Sequence, residues 1–180
     1  AENVKILAPL DSRSIPWDIS VDVATEMDAQ EFVAYMIPLG SDGSAAAYFQ
    51  QAARDIITGV IVYLQAEKPE QWTVSDIFEV VNNKNKLIEA LKNYRIGALE
   101  HIQDSGFDEA GNFVASRQTA SILSDIRAHF QNLEILAKAW PNSCGGFSIK
   151  KYARGEDQSI KMLIVPFVSY YRTFSEFFSA

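Results

Sequence analysis

Val4-Lys5-Ile6-Leu7-Ala8-Pro9-Leu10 opens the chain and Met162-Leu163-Ile164-Val165-Pro166-Phe167 comes near its end, and these two apolar runs decide how everything between them is read. The first, closed by Pro9 and by the turn formers Asp11, Ser12, Arg13 and Ser14, predicts a strand and then a loop. The second is continuously apolar rather than alternating, as expected of a strand buried on both faces of an α/β sheet. Strands at both ends of a helical middle are the pattern of an insertion into an α/β domain. The ends of the sequence fit that reading. Ala1 stands where a Met would start a gene, and Phe174, Phe177, Phe178, Ser179 and Ala180 close without turn or cap residues, so the expectation is a piece that works inside a larger protein.

Between the runs the apolar spacing is helical. Asp28 is read as the cap of a helix through Phe32, Val33, Tyr35, Met36 and Ile37 that must end at Pro38. Leu39 to Ser44 reads as a loop. Ser44 then caps the longest early helix, where Tyr48, Phe49, Ala52, Ile56, Val60 and Tyr63 recur every three or four residues and Ile57, Ile61 and Leu64 widen the stripe, so this helix is expected at the centre of the core. Lys68, Pro69 and Glu70 break it. Thr73-Val74-Ser75-Asp76 resembles a capping box with Asp in place of the usual Glu, leading into a string of short helices through Val81, Tyr94 and Ile102 that is interrupted at Asn82-Asn83. Asp104 to Asn112, with Gly106 and Gly111, is the clearest loop. A second long helix is predicted from about Ser116 to Trp140, ended by Pro141, Asn142 and Gly145-Gly146, with one more helical turn at Ser148 to Arg154.

With 180 residues the chain buries roughly 70% of its unfolded surface, enough for one real core. Acidic residues outnumber basic ones 23 to 16, and the net charge of -7 repels a phosphate backbone unless the scattered cations gather on one face. A single cysteine, Cys144, cannot make an internal disulfide, and no stretch approaches the roughly 20 apolar residues needed to cross a bilayer. No Gly-x-x-x-x-Gly-Lys-Ser/Thr loop is present to cradle nucleotide phosphates. Asp108-Glu109 lacks the preceding apolar strand that would position a motor's acidic pair, and the same loop fails as an EF-hand because Ala115 stands where the bidentate glutamate belongs. His101 and His129 sit outside any Cys/His cluster, and Cys144 has no nearby base in sequence, so no catalytic, cofactor or metal site is expected. Trp17, Trp72 and Trp140 read as packing anchors, and Lys84, Lys86 and Lys92 as a solvated helix face.

Ile6-Leu7-Ala8-Pro9-Leu10-Asp11-Ser12-Arg13-Ser14, followed by Trp17-Asp18, resembles the segment leading into the all-α domain of type IV secretion coupling proteins of the TraD/TrwB kind. The usual form there is Ile-Leu-Asn-Pro-Phe-Asp-x-Arg, so Ala8 replaces the Asn and Leu10 the Phe. Further landmarks follow in the family's order: Ile37-Pro38, then Phe49, Ala53-Arg54 and Tyr63-Leu64, then Ala139-Trp140, Phe147-Ser148-Ile149 and the returning Met162-Leu163-Ile164.

The resemblance covers nearly the whole chain. It implies a mainly α fold, a helical bundle flanked by short terminal strands that belong to a parent α/β RecA-like ATPase domain. One all-α domain with flanks is expected: strand and loop over 1–14, helices over 28–156, and the returning strand and the start of a helix over 160–180. The whole protein would be a membrane-anchored hexameric ATPase that hands DNA-protein complexes or effector proteins to a secretion channel. Its ATP and Mg would be held outside this chain. This chain would be the substrate-recognition domain at the cytoplasmic channel entrance of an inner-membrane-associated protein. Its partners would be a relaxase or relaxosome, effector or adaptor proteins, and DNA in the assembled ring. The acidic balance favours docking a basic protein, and Asp104, Asp108 and Glu109 are the candidate partner-binding residues. The alternatives are a direct single-stranded DNA-binding module of the motor and a free-standing helical adaptor.

Overall fold

The structure, a computed structural model, describes residues 3–40, 45–102, 106–110, 113–131 and 133–165. Strand β1 (Val4–Ile6) pairs in parallel with β4 (Met162–Ile164), in the register Val4 to Met162, Lys5 to Leu163 and Ile6 to Ile164. The Leu7 amide extends the ladder by donating to the Ile164 carbonyl at 2.9 Å. Parallel neighbours need a crossover between them, and here the entire helical body is that crossover. The two runs expected to bracket the helices therefore lie side by side. Within this chain, however, the returning strand is not buried on both faces. Leu163 packs on the core, while Met162 and Ile164 remain 54% and 41% exposed because strand parity turns them away from the helices.

The helices are α1 (Ile19–Asp22), α2 (Glu26–Met36), α3 (Ala45–Glu67), α4 (Val74–Asn82), α5 (Lys84–Tyr94) and α6 (Ile96–Leu99). A 3-10 turn at Glu100–Ile102 follows, then α7 (Arg117–Phe130), α8 (Leu133–Ala139) and α9 (Ile149–Ala153). The central position expected of the long helix is observed: Ala52, Ala53, Ile56, Ile57, Val60 and Ile61 of α3 are fully buried, and α2, α4, α5, α6 and α7 all pack against it.

Three local expectations are corrected. The cap of α2 is Thr25, not Asp28: Asp28 is the third helical residue and completes a capping box with Thr25, the arrangement that Thr73 and Asp76 also form at α4. Ser116 to Trp140 is not one helix but α7 and α8. Phe130 and Leu133 are both buried at helical spacing, so the periodicity runs through the break without marking it. α7 packs along α3, whereas α8 packs against α4. Finally, the stretch from 104 to 112 is not an open loop throughout. Gly106–Phe107 (β2) and Phe113–Val114 (β3) form a small antiparallel hairpin. The proposed Ser44 cap and the continuation over 166–180 lie outside the described residues.

Pro38 stops α2 and leaves carbonyls of its last turn without helical partners. Arg54 of α3 supplies them: Nε donates to the Ile37 carbonyl at 2.6 Å and Nη2 to that of Ala34 at 2.9 Å. Burial lowers the guanidinium pKa, which still leaves it a cation at the negative end of the α2 dipole. Arg54→Met keeps the stem and removes the donors, and should cost about 2–3 kcal/mol in urea unfolding. A loss below about 0.5 kcal/mol would mean that water meets those carbonyls equally well.

Candidate functional site

The body has two ends, and α3 measures the distance between them. Gln65, near its C-terminus, donates to the carbonyls of Val23 and Thr25 at 2.9 Å each, which ties that end to the segment entering α2. Tyr48, near its N-terminus, accepts a hydrogen bond from Gln118 of α7 at 2.6 Å. At 1.5 Å per residue these two anchors are about 25 Å apart. The end at Gln65 is the root, next to the terminal strands, and the end at Tyr48 is the tip.

At the root, residues far apart in sequence are bonded into one knot. Trp17 and Phe147 form a parallel bridge in which the Asp18 amide donates to the Phe147 carbonyl at 2.9 Å and the Phe147 amide to that of Pro16 at 2.8 Å. The Asp18 carboxylate, buried, accepts from the Ser20 hydroxyl and the Gly145 amide, both at 2.6 Å. Asp22 closes the knot. Its carboxylate accepts from Trp17 Nε1 at 2.6 Å, from the Ile149 and Lys150 amides at 2.9 and 3.2 Å, and from the Ser148 hydroxyl, capping α9 with a charge that suits a helix N-terminus. Lys150 reaches back to Asp28 at 2.5 Å. Burial works against the Asp28 carboxylate, but Lys150 and Thr25 hold its pKa below the ordinary 3.8.

Gly145 and Gly146 do more here than end a helix. Gly145 has φ +76°, and a Cβ on Gly146 would lie 2.5 Å from the Pro16 carbonyl oxygen and 2.7 Å from that of Ser143. Sequence reasoning singled out Trp17-Asp18 and Phe147-Ser148-Ile149 but missed Asp22, whose four donors come mostly from some 126 to 128 positions away.

At the tip, the β2–β3 hairpin lies in the chain between His101 and Gln118, both of which meet Tyr48. Asp108 and Glu109 are exposed at its turn, where Asp108 Oδ1 accepts from the Ala110 amide at 3.0 Å. Asp104 lies outside the described residues. Tyr48 Oη lies 3.5 Å from His101 Nδ1, and His101 Nε2 lies 3.4 Å from Asp55. These contacts tie the segment that leads into the hairpin to the central helix. The two ends thus differ in chemistry. The root is a knot of carboxylates, Asp18 buried and Asp22 and Asp28 partly so, met by backbone and side-chain donors, whereas the tip offers acidic side chains to solvent.

The other chemically active side chains are engaged structurally. Burial pushes the Cys144 thiol pKa up, opposite to what a nucleophile needs, with its sulfur 3.7 Å from the Trp72 carbonyl. His129 Nδ1 sits 3.0 Å from the Asp125 carbonyl of its own helix, and the three tryptophans are buried. Of Lys84, Lys86 and Lys92, read as a solvated helix face, Lys86 pairs with Glu79 at the surface and Lys92 is exposed, while burial and the nearby Arg127 lower the pKa of Lys84. Among the described residues no group of His, Cys, Asp and Glu could hold a metal ion, and no helix is long and apolar enough to cross a membrane.

The comparisons with known proteins agree on one group. The family model described as the type IV secretion-system coupling protein DNA-binding domain matches residues 1–179. A structure of the bacterial conjugative coupling protein TrwBdeltaN70, in a trigonal form with sulphate, superposes with a TM-score of 0.64 at 16% identity over 97% of this chain and 38% of that one. The plasmid coupling protein TrwB in complex with the non-hydrolysable GTP analogue GDPNP gives 0.62 at 17% identity, over 95% of this chain and 37% of that one. At such identities the likeness shows the fold, and the chain spans well under half the length of either protein. No curated protein is significantly similar in sequence.

Proposed function

This chain belongs to the family of type IV secretion-system coupling protein DNA-binding domains, and on that premise we propose that it is the substrate-recognition domain of a coupling ATPase. The observation that carries the proposal is the parallel β1–β4 pair at the root. Parallel sheets are covered on both faces, and a sheet of only two strands is marginal alone. Yet Val4, Met162 and Ile164 present an apolar outer face to solvent. Such a sheet suits continuation into the larger sheet of a parent α/β domain, which would hold ATP and Mg. The helical body then stands off the motor, with its tip about 25 Å from the root.

In this reading the exposed carboxylates of Asp108 and Glu109 steer a basic protein, a relaxase, relaxosome component or effector, toward the cytoplasmic mouth of a secretion channel. The membrane-anchored hexamer belongs to the same proposal. So does the absence of hydrolysis from this chain, and ATP turnover by the isolated 180 residues would contradict it. Glu109→Lys should weaken binding of a basic relaxosome protein about threefold while leaving the melting temperature unchanged, since an exposed charge at a turn tip alters stability little. Unchanged affinity would remove the tip from the partner surface. The second reading, direct contact with DNA, is favoured by the family's description and needs a cationic surface that the tip lacks.

A further inference from the structure

A domain of net charge -7 can meet a nucleic acid only through cations that its own carboxylates have not already neutralised. Most are neutralised among the described residues. Arg13, Lys68, Lys86, Arg95 and Lys150 each form an ion pair, and Lys138, whose exposed contact with Glu134 at 3.6 Å is weak, has no second cation one turn away on α8. Arg54 is committed to the end of α2, and half-buried Lys84 lies 3.5 Å from the Val81 carbonyl. The other helical cations are Lys92 on α5, Arg117 and Arg127 on α7, and Lys151 and Arg154 at α9. Arg117 and Arg127 are ten residues, about 15 Å, apart.

Only at α9 do two of these cations stand one turn apart, at i and i+3, where they share a face. Lys150 turns inward to Asp28, which leaves Lys151 and Arg154 on the solvent side. Among the described residues the carboxylate paired with Arg154 is that of Glu156 at 3.9 Å, with both side chains more than half exposed, a contact of little worth that a phosphate can displace. The chain then runs directly to Lys161, whose amide joins the sheet by donating to the Asn3 carbonyl at 2.8 Å. Lys161 itself stands exposed just before β4. Asp157, the other acid in the intervening turn, is folded back onto the Ser159 amide and hydroxyl.

We propose that the outer face of α9, Lys151 with Arg154, together with Lys161 is where this domain meets nucleic acid, taking backbone phosphates without reading bases. The inference rests on the DNA-contact reading above and gives it a location at the root, away from the acidic tip. Two kinds of ligand are thereby kept apart, with basic proteins at one end and a polyanion at the other.

The test is the salt dependence of binding of fluorescent single-stranded and duplex oligonucleotides to the 180-residue chain. Lys151→Ala/Arg154→Ala/Lys161→Ala should flatten the log-log salt slope by about 2, the value for three lost phosphate contacts on a single strand. The comparison variant Lys92→Ala/Arg117→Ala/Arg127→Ala should keep the wild-type slope, and Lys151→Arg/Lys161→Arg should keep both slope and affinity. An unchanged slope in the α9 variant, or an equal loss in the comparison variant, overturns the location while leaving the family-level reading intact. No binding by the wild-type chain at low salt, or capture only by anionic phosphatidylserine vesicles, overturns both.

Discussion

Gly146→Ala should lower the melting temperature by roughly 9 °C, the shift that about 3 kcal/mol produces in a chain of this size. The added methyl has nowhere to go. Its two nearest neighbours are the carbonyl oxygens of Pro16 and Ser143, and neither is the mobile end of a side chain. Backbone must therefore move on one side of the bridge between Trp17 and Phe147. That movement also stretches the bonds by which Asp18 and Asp22 hold residues 145–150, so the loss exceeds what ordinary overpacking in an adaptable core would cost. Differential scanning calorimetry checks it, and a shift within about 2 °C would show that the root can yield where the geometry says it cannot.

Asp22→Asn should destabilise the chain by about 2–4 kcal/mol although it removes almost no volume. The carboxylate has two oxygens for four donors, and the amide keeps only one acceptor while its NH2 group faces donors. Trp17 Nε1 or the first amides of α9 are then left unmet, and the helix N-terminus loses its charge. Two measurements separate this from a general loss of stability. Hydrogen exchange at the Ile149 and Lys150 amides should accelerate before the rest of the fold opens. The double variant with Ser148→Ala should also show a coupling above about 0.5 kcal/mol, because both residues share one network. Additive effects would mean that Asp22 and Ser148 act independently.

Much of the candidate site was visible as letters without being visible as a site. The tracts that carried the family resemblance, Trp17-Asp18, Phe147-Ser148-Ile149 and Met162-Leu163-Ile164, converge on the root, and Ile37-Pro38 and Ala53-Arg54 meet where Arg54 caps α2. Asp22 carried no comparable signal, because its donors are supplied by a fold that brings residues 17–22 against 145–150. Thr25 was legible in principle. Thr25-Glu26-Met27-Asp28 has the spacing of Thr73-Val74-Ser75-Asp76, and in both the Thr is the cap and the Asp the third helical residue. The basic face at α9 was hidden for the opposite reason. In sequence Lys150, Lys151, Arg154 and Lys161 look diluted by Glu156 and Asp157, and only the inward turn of Lys150 and the folding back of Asp157 leave the others available.

The sequence by itself determined the terminal strands and most of the helices between them, because a strand's continuous apolar run, a helix's three-to-four spacing and a Pro or Gly stop are local and survive in any tertiary setting. It also determined the family, through landmarks whose order does not depend on packing. What only the tertiary structure decided is direction and pairing: that α7 and α8 are two helices, that Gly106–Phe107 pairs with Phe113–Val114, and which charges meet a partner and which stay in solvent. The physical reason is that a carboxylate or a lysine has no fixed role until the fold decides what lies within about 3 Å of it, a distance set by contacts between residues more than a hundred positions apart.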